Sequence, residues 1–392
     1  MRAWVFLLLC LSRLEAFSWE QKGEIGAVAY AYSHAANELA LEGKAQIKAK
    51  NDSYDAVASA QFLYSSEYAQ RRYILLDELF VYAEMEEYAL SLGRQMKFWG
   101  EMEGFNFTDI YNPKNLLQDP FDKSAKYGAW GADIVRYFDE NSLELGVKFY
   151  EEDMELPSGK TPFALIPGEY DKELRVTKSR YTPTLYLKAD ITTEEWLESE
   201  TTLILLHGYD NKRGFMLLTP TKIAQIAYVV DKALLHTHIL YNDTIFKAEA
   251  VYTHVRDSVL VGDYAQIAAG VEHTLYEVVG SADVGFFGEY YRYIYADASK
   301  QKNIDIAELF DDDLFFALRA SFNDTRSSVL KAGIVQDRRK KERLLKVDFS
   351  SRVDENFTFK AQYLQIFSIA GETVLARFGD SSRFMAALNY NF

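Results

Sequence analysis

The sequence predicts an all-β chain, a transmembrane antiparallel up-and-down β-barrel of about 18 strands, within a range of roughly 16 to 20. Three observations predict it. Segments of about ten residues alternate apolar and polar side chains, the connections between them sort by length into two sets, and the chain opens on a segment of export type.

That opening segment is the first element. Arg2 precedes an apolar run from Ala3 to Leu11, and Ala16-Phe17-Ser18 puts small residues at both positions that a cut after Ser18 requires. Residues 1–18 therefore read as a cleaved secretory signal peptide, the apolar run being far shorter than the roughly 20 residues of a spanning helix. Cys10, the only cysteine, lies inside this segment, which leaves residues 19–392 without the means for a disulfide or a cysteine metal site. No linker or change of composition divides residues 19–392, so they read as a single barrel domain. Charges interrupt every later apolar stretch, which excludes a helical membrane protein. The 27 Tyr, 26 Phe and only 7 Pro suit long strands with interfacial aromatic girdles. A net charge of −15 argues against nucleic acid as a partner.

The strands follow in order. Starts fall near residues 23, 38, 53, 74, 87, 128, 142, 181, 200, 214, 222, 233, 244, 262, 282, 312, 328, 343, 357 and 382, with 214 to 220 open between strand and loop. From Glu38 to Lys50, Leu39, Leu41, Ala45, Ile47 and Ala49 share one face while Glu38, Glu42, Lys44, Gln46, Lys48 and Lys50 share the other. The same alternation recurs at Leu143 to Phe149, Leu345 to Phe349 and Phe357 to Tyr363. A soluble sheet with one wet face also alternates. Soluble strands, however, are commonly about five or six residues long, roughly half the length of these. The connections Asn51-Asp52, Glu86-Glu87, Asn242-Asp243, Asn323 to Ser327 and Asp354 to Asn356 are short and fall on one end. The connections 98–127, 151–180, 295–311 and 369–381 are long and fall on the other, as periplasmic turns and outer loops do.

In the last strand Phe384, Ala386, Leu388, Tyr390 and Phe392 share a face. This resembles the terminal strand of bacterial outer-membrane β-barrels, porins among them. The resemblance implies an outer-membrane location, lipids as neighbours, and recognition of Leu388, Tyr390 and Phe392 by the barrel assembly machinery; it leaves monomer and homotrimer both open. A second stretch runs Leu92-Gly93-Arg94-Gln95, Phe98-Trp99-Gly100, Gly104-Phe105-Asn106-Phe107-Thr108-Asp109 and Asn112-Pro113. It is similar to a loop of poorly characterised porin-like proteins, with Phe107 standing where that pattern has Pro.

Residues 98–127 form the third outer loop, which in porins commonly folds inward. The resemblance then implies a pore constriction in which Glu101, Glu103, Asp109, Asp119 and Asp122 face cations, with Lys114, Lys123 and Lys126 offsetting them. A solvated loop outside the lumen has the same polar composition. Lumen-phased Lys44, Lys48, Lys148, Lys247, Lys331, Lys346, Lys360, Arg319 and Arg352 make either a basic wall opposite that loop or a set of mutually paired charges. Arg94 follows Tyr88, Leu90 and Leu92 in phase, which aims it at lipid, where a midplane Arg costs about 2 to 4 kcal/mol. A bulge at Gly93 that turns Arg94 into the lumen, or a place at the rim, relieves this, and the bulge is the expectation.

His236 and His238 share a strand face, but two histidines without a third ligand predict no metal. The Asn-x-Ser/Thr triplets at Asn51, Asn106, Asn242, Asn323 and Asn356 read as turns rather than glycosylation sites. No nucleophile elbow, HExxH or Walker motif is present. The expectation is a channel without cofactor or catalysed reaction, passing small polar solutes or ions passively or with weak selectivity. The alternatives are an outer-membrane hydrolase and an uptake channel specific for a hydrophobic or organic solute.

Overall fold

The computed structural model describes residues 17–392 apart from 52, 155, 165–167, 172, 195–196, 259, 297–309 and 368–373. The segment read as a signal peptide lies, but for its last two residues, outside the described residues. The strands are β1 (Ser18–Tyr32), β2 (Glu38–Lys50), β3 (Tyr54–Ser65), β4 (Arg72–Met85), β5 (Tyr88–Gln95), β6 (Ala129–Phe138), β7 (Asn141–Lys148), β8 (Glu169–Tyr170), β9 (Arg175–Val176), β10 (Thr184–Thr193) and β11 (Glu198–Tyr209). They continue with β12 (Gly214–Thr219), β13 (Lys222–Ala227), β14 (Val229–Tyr241), β15 (Thr244–Val255), β16 (Tyr264–Val279), β17 (Ala282–Tyr295), β18 (Asp312–Ser321), β19 (Val329–Asp337), β20 (Arg343–Arg352), β21 (Phe357–Phe367) and β22 (Arg383–Asn391).

Eighteen of these strands pair antiparallel in one sheet. The sheet closes where β1 meets β22, from Glu24 opposite Asn391 to Tyr32 opposite Arg383. Closure leaves no unpaired edge, the condition for a sheet to cross lipid. The side chains confirm which face is outside. Leu39, Leu41 and Ile47 of β2 are at least half exposed, whereas Glu38 and Ala40, in the opposite phase, are buried. Leu203 and Leu205 of β11 likewise point out while Ile204 and Leu206 point in.

Short turns occupy one end, with Asn242 and Asn323 at positive φ of 52° and 50° as tight turns require. The long connections gather at the other. Two expected strands, those starting near 214 and 222, are not in the barrel. At six residues each, β12 and β13 are too short for a bilayer crossing, which takes about 9 to 11. They form a hairpin within an outer loop, and β8 and β9 join β13 in parallel. The lumen face also departs from simple polarity. Ile204, Leu206, Leu234, Val251, Phe287, Tyr291, Phe315 and Val335 face inward and pack with Trp99, Met102, Phe107, Ile110 and Tyr111 of the loop between β5 and β6.

Candidate functional site

That loop, residues 96–128, enters the barrel and crosses it. Its neck is tied by Asn112, whose Nδ2 donates to the carbonyls of Gln95 and Tyr127, both at 2.9 Å, while its Oδ1 accepts from the amide of Lys97 at 2.6 Å. Further in, Asn106 Oδ1 accepts from the amide of Met102 at 2.7 Å, and Asp119 and Asp122 accept from the amides two residues on, at 2.9 and 2.8 Å. These are the local turns such residues favour. Lys126 is fully buried. Its ammonium lies 2.5 Å from Asp109 and 3.6 Å from the centre of the Phe98 ring, and burial pushes its pKa down to about 8 against the pull of Asp109.

The tip docks on the opposite wall through two carboxylates. Glu249 on β15 accepts from the amides of Glu101 at 2.9 Å, Phe107 at 2.6 Å and Thr108 at 3.2 Å. Glu289 on β17 accepts from the amides of Glu103 at 2.6 Å and Gly104 at 2.8 Å. The Tyr291 hydroxyl donates to Glu289 and accepts from the amide of Phe105 at 2.9 Å. Gly100 permits this approach: its φ is +121°, and a Cβ there would lie 2.5 Å from Glu249 Oε1. At the loop's other side, the buried Arg71 donates to the carbonyls of Leu117 and Gln118 at 2.6 and 2.8 Å and pairs with Glu38 at 3.0 Å; Arg383 pairs with Asp119 at 2.5 Å.

The expected constriction residues therefore separate. Glu103, Lys114 and Asp122 line a cavity of about 250 Å³ between the loop and the wall of β18 to β20. Burial raises the Glu103 pKa, but Lys123 and Lys331 outweigh it and hold the carboxyl below its usual range. Glu101 turns toward His238, 3.3 Å away. Asp109 and Asp119 are occupied inside the structure by Lys126 and Arg383.

The lumen cations also divide. Lys44 lies 3.7 Å from Asp77, Lys48 2.6 Å from Asp55, Lys148 2.8 Å from Glu151, Arg319 3.2 Å from Glu272, Lys247 2.6 Å from Glu272 and Lys360 3.0 Å from Glu24. Lys331 and Lys346 face the cavity, and Arg352 is exposed at the turn end of β20. Arg94 corrects the bulge expectation. The pairing of β5 with both neighbours runs unbroken through Gly93. Gly93 instead takes φ +139°, and Arg94 lies buried at the outer end of its strand, donating to the Leu76 carbonyl at 2.8 Å and paired with Glu152. The rim, rather than a turn into the lumen, spares it from lipid. The ladder irregularity lies in β4, where Asp77 is skipped between Leu76 and Glu78.

Sequence reasoning missed Glu249, Glu289 and Arg71. A signal existed for the first: lumen-phased Glu249 stands between Ala248 and Ala250 in a strand otherwise free of inward acids beyond it. Only the path of a loop more than 140 residues away gives that carboxylate its partners.

Fold and site together define a membrane-spanning barrel of the outer-membrane type whose lumen is crossed by its own third outer loop. Solved structures share that fold. OccD3 (OpdP) of Pseudomonas aeruginosa aligns over 96% of this chain and 91% of its own at 10% identity with a TM-score of 0.54. OccK11 (OpdR) of the same organism aligns over 97% and 96% at 9% identity and 0.56. Wzi of Escherichia coli, a carbohydrate-binding β-barrel involved in group 1 capsule assembly, aligns over 99% and 87% at 9% identity and 0.55. No protein-family model matches the chain, and no curated protein does.

Proposed function

We propose that this chain is a porin-like channel of the bacterial outer membrane for small polar solutes or ions, with residues 96–128 as its constriction. The observation that carries this reading is the docking of that loop across the lumen onto Glu249 and Glu289. The loop meets the wall through backbone amides, so the side chains of Glu103, Lys114 and Asp122 remain at the cavity to act on what passes. Charges at a constriction set ion preference because the lumen focuses their field. The outward belt of Leu, Ile, Phe and Tyr supports a lipid surround. Leu388, Tyr390 and Phe392 all face outward on the seam strand, which supports a role as the segment read during assembly.

Planar-bilayer recording of the purified barrel tests the reading. Discrete conductance steps are expected, and exchange of Glu103 for Lys is expected to move the reversal potential in a salt gradient toward anion preference. A folded protein that inserts and stays silent sinks the channel. The extent of packing around the loop favours one second reading, a binding barrel without through-conduction, as Wzi is a carbohydrate-binding barrel. Silence together with ligand binding would select it.

A further inference from the structure

The cavity beside the plug has a wall ordered by height. On its outermost rung Asp313 of β18 stands opposite Asp337 of β19. One rung in, Phe315 and Val335 lie opposite each other and Leu344 of β20 stands beside them. Phe105 from the loop stacks on Phe310 at 4.9 Å and closes this apolar belt. The next rung carries Gly333 opposite Lys346, and the one below carries Lys331 opposite Asp348. All of these residues line the same cavity.

The two ends differ in charge balance. At the outer rung Asp311, Asp313 and Asp337 place carboxylate oxygens within 4.8 Å of one another. Lys340 lies 2.7 Å from Asp311. Asp313 is 1% exposed and, among the described residues, has no lysine or arginine within ion-pair distance; the hydrogen bond it accepts comes from the amide of Asp312 at 3.1 Å. A carboxylate so buried is costly unless it is neutralised or meets a cation. Away from that rung the lining carries four ammonium groups, Lys114, Lys123, Lys331 and Lys346, against three carboxylates, Glu103, Asp122 and Asp348, which leaves an excess of one positive charge. Four residues of strand separate Asp337 from the level of Lys346, about 13 Å at the usual rise, less the reach of the lysine side chain.

We propose that this cavity binds a small zwitterion with an apolar or aromatic body. Its ammonium group sits against Asp313 and Asp337, its body against Phe105, Phe310 and Phe315, and its carboxylate against Lys331 and Lys346. Uncompensated carboxylate outside, apolar belt between and surplus ammonium inside match such a solute at three points, whereas an organic cation or anion meets only two. This names the substrate class of the channel proposed above and rests on that reading.

Isothermal titration of the full barrel in detergent tests it with 4-(aminomethyl)benzoate, benzylamine and 4-methylbenzoate as probes. The zwitterion is expected to bind about ten-fold or more tightly than either single-charge compound. Asp313→Asn is expected to weaken the zwitterion and benzylamine by about ten-fold while changing 4-methylbenzoate by less than about two-fold. Lys346→Met is expected to do the converse. Asp337→Asn is a second acidic-end variant: it keeps the oxygen that accepts from the Arg339 amide at 2.6 Å, so the turn it caps is preserved. Equal affinity for the three probes overturns the proposal, as does an Asp313→Asn effect of the same size on all three. Calcium binding at the outer rung without any benzylamine binding also overturns it. Bilayer recording of the same preparation separates the two readings: conductance steps without probe preference sink the site alone, and probe preference without steps sinks the channel alone.

Discussion

The two sides of this barrel's interior are built on opposite principles. From β11 to β19 large apolar residues fill much of the inward face, and two of the charges among them, Glu249 and Glu289, are buried under the loop that uses them, while Lys247 and Arg319 pair with Glu272 nearer the turns. Around β1 to β4 and β20 to β22, at mid-height and toward the turn end, the inward residues pair side chain to side chain. Gln61 donates to Asp77 at 2.8 Å, Ser59 to Glu78 at 3.1 Å, Asn389 to Glu24 at 3.1 Å and Gln362 to Asp348 at 2.7 Å. The first side is a docking surface whose partner is another part of the chain. The second is tied mostly within itself near the turns; the loop reaches it farther out, through Arg71, Arg383 and the Met96 amide, which donates to Glu78 at 3.4 Å. Substitutions of Glu249 or Glu289 on the first side are therefore expected to move the plug, and those of the ion pairs near the turns on the second to leave it in place.

The largest effect is expected from Glu249→Ala. It strips three amides of their acceptor in a buried place, and each charge-assisted bond is worth about 1.5 to 3 kcal/mol, with further cost for the amides left unpaired. The loop's docking should fail while the barrel wall stays intact. Single-channel conductance should rise at least about two-fold, on the scale of a constriction removed from the lumen, and trypsin should cut at Lys114 or Lys123. Unaltered conductance and an uncut loop would show that the wall carboxylates do not hold the plug.

Gly100→Ala comes next. The positive φ and the 2.5 Å approach to Glu249 make any side chain strained there, at a cost on the order of 1 to 3 kcal/mol. The expected outcome is the same in kind, with a mixture of wild-type and enlarged conductance levels in one recording. A single wild-type level would mean that the loop shifts to admit the methyl group without loss of docking.

The same division explains what the sequence made legible. Alternation in β2 or β21 is local: Leu39, Leu41 and Ile47 announce the lipid face because lipid treats every strand alike. Loop lengths placed 98–127 third on the outer end for the same reason, since topology needs only the order of strands. The plug's contacts are long-range and depend on its path. Asp109 and Asp122 look alike in sequence as loop acids, yet one is sealed against Lys126 and the other lines the cavity. The hairpin of β12 and β13 misled because a short, largely apolar run of six residues satisfies the strand pattern without the length to cross a membrane. Arg94 misled for a different reason: strand phase says which way a residue faces but not how close to the rim it lies.

Lys48→Ala on the polar wall should do far less. Its ion pair with Asp55 at 2.6 Å is partly exposed, and such pairs contribute about 0 to 1 kcal/mol. Conductance and protease resistance of the loop should match the parent, with at most a small change in ion selectivity. An enlarged conductance would break the comparison, because it would show that the polar wall also supports the plug.

Acid provides the mildest lever. Burial raises the pKa of Glu151, but Lys148 and Arg213 outweigh it and hold the carboxyl below its usual range; Lys232 and Lys212 do the same for Asp210. Glu103 follows the same pattern with Lys123 and Lys331. For carboxyls lowered in the folded state, the stabilisation is complete above the ordinary carboxylate pKa and is lost as pH falls through the lowered one. These groups anchor the outer loops and the plug, whereas the barrel strands are joined by backbone pairing that acid does not titrate. Falling pH should therefore loosen loops 149–183 and 210–228 first, seen as pepsin cleavage there below about pH 4 while the barrel still migrates as a folded species. Cleavage that begins only when the barrel itself unfolds would mean that loops and wall form one cooperative unit, and that the plug's docking, too, is not separable from the strands it rests on.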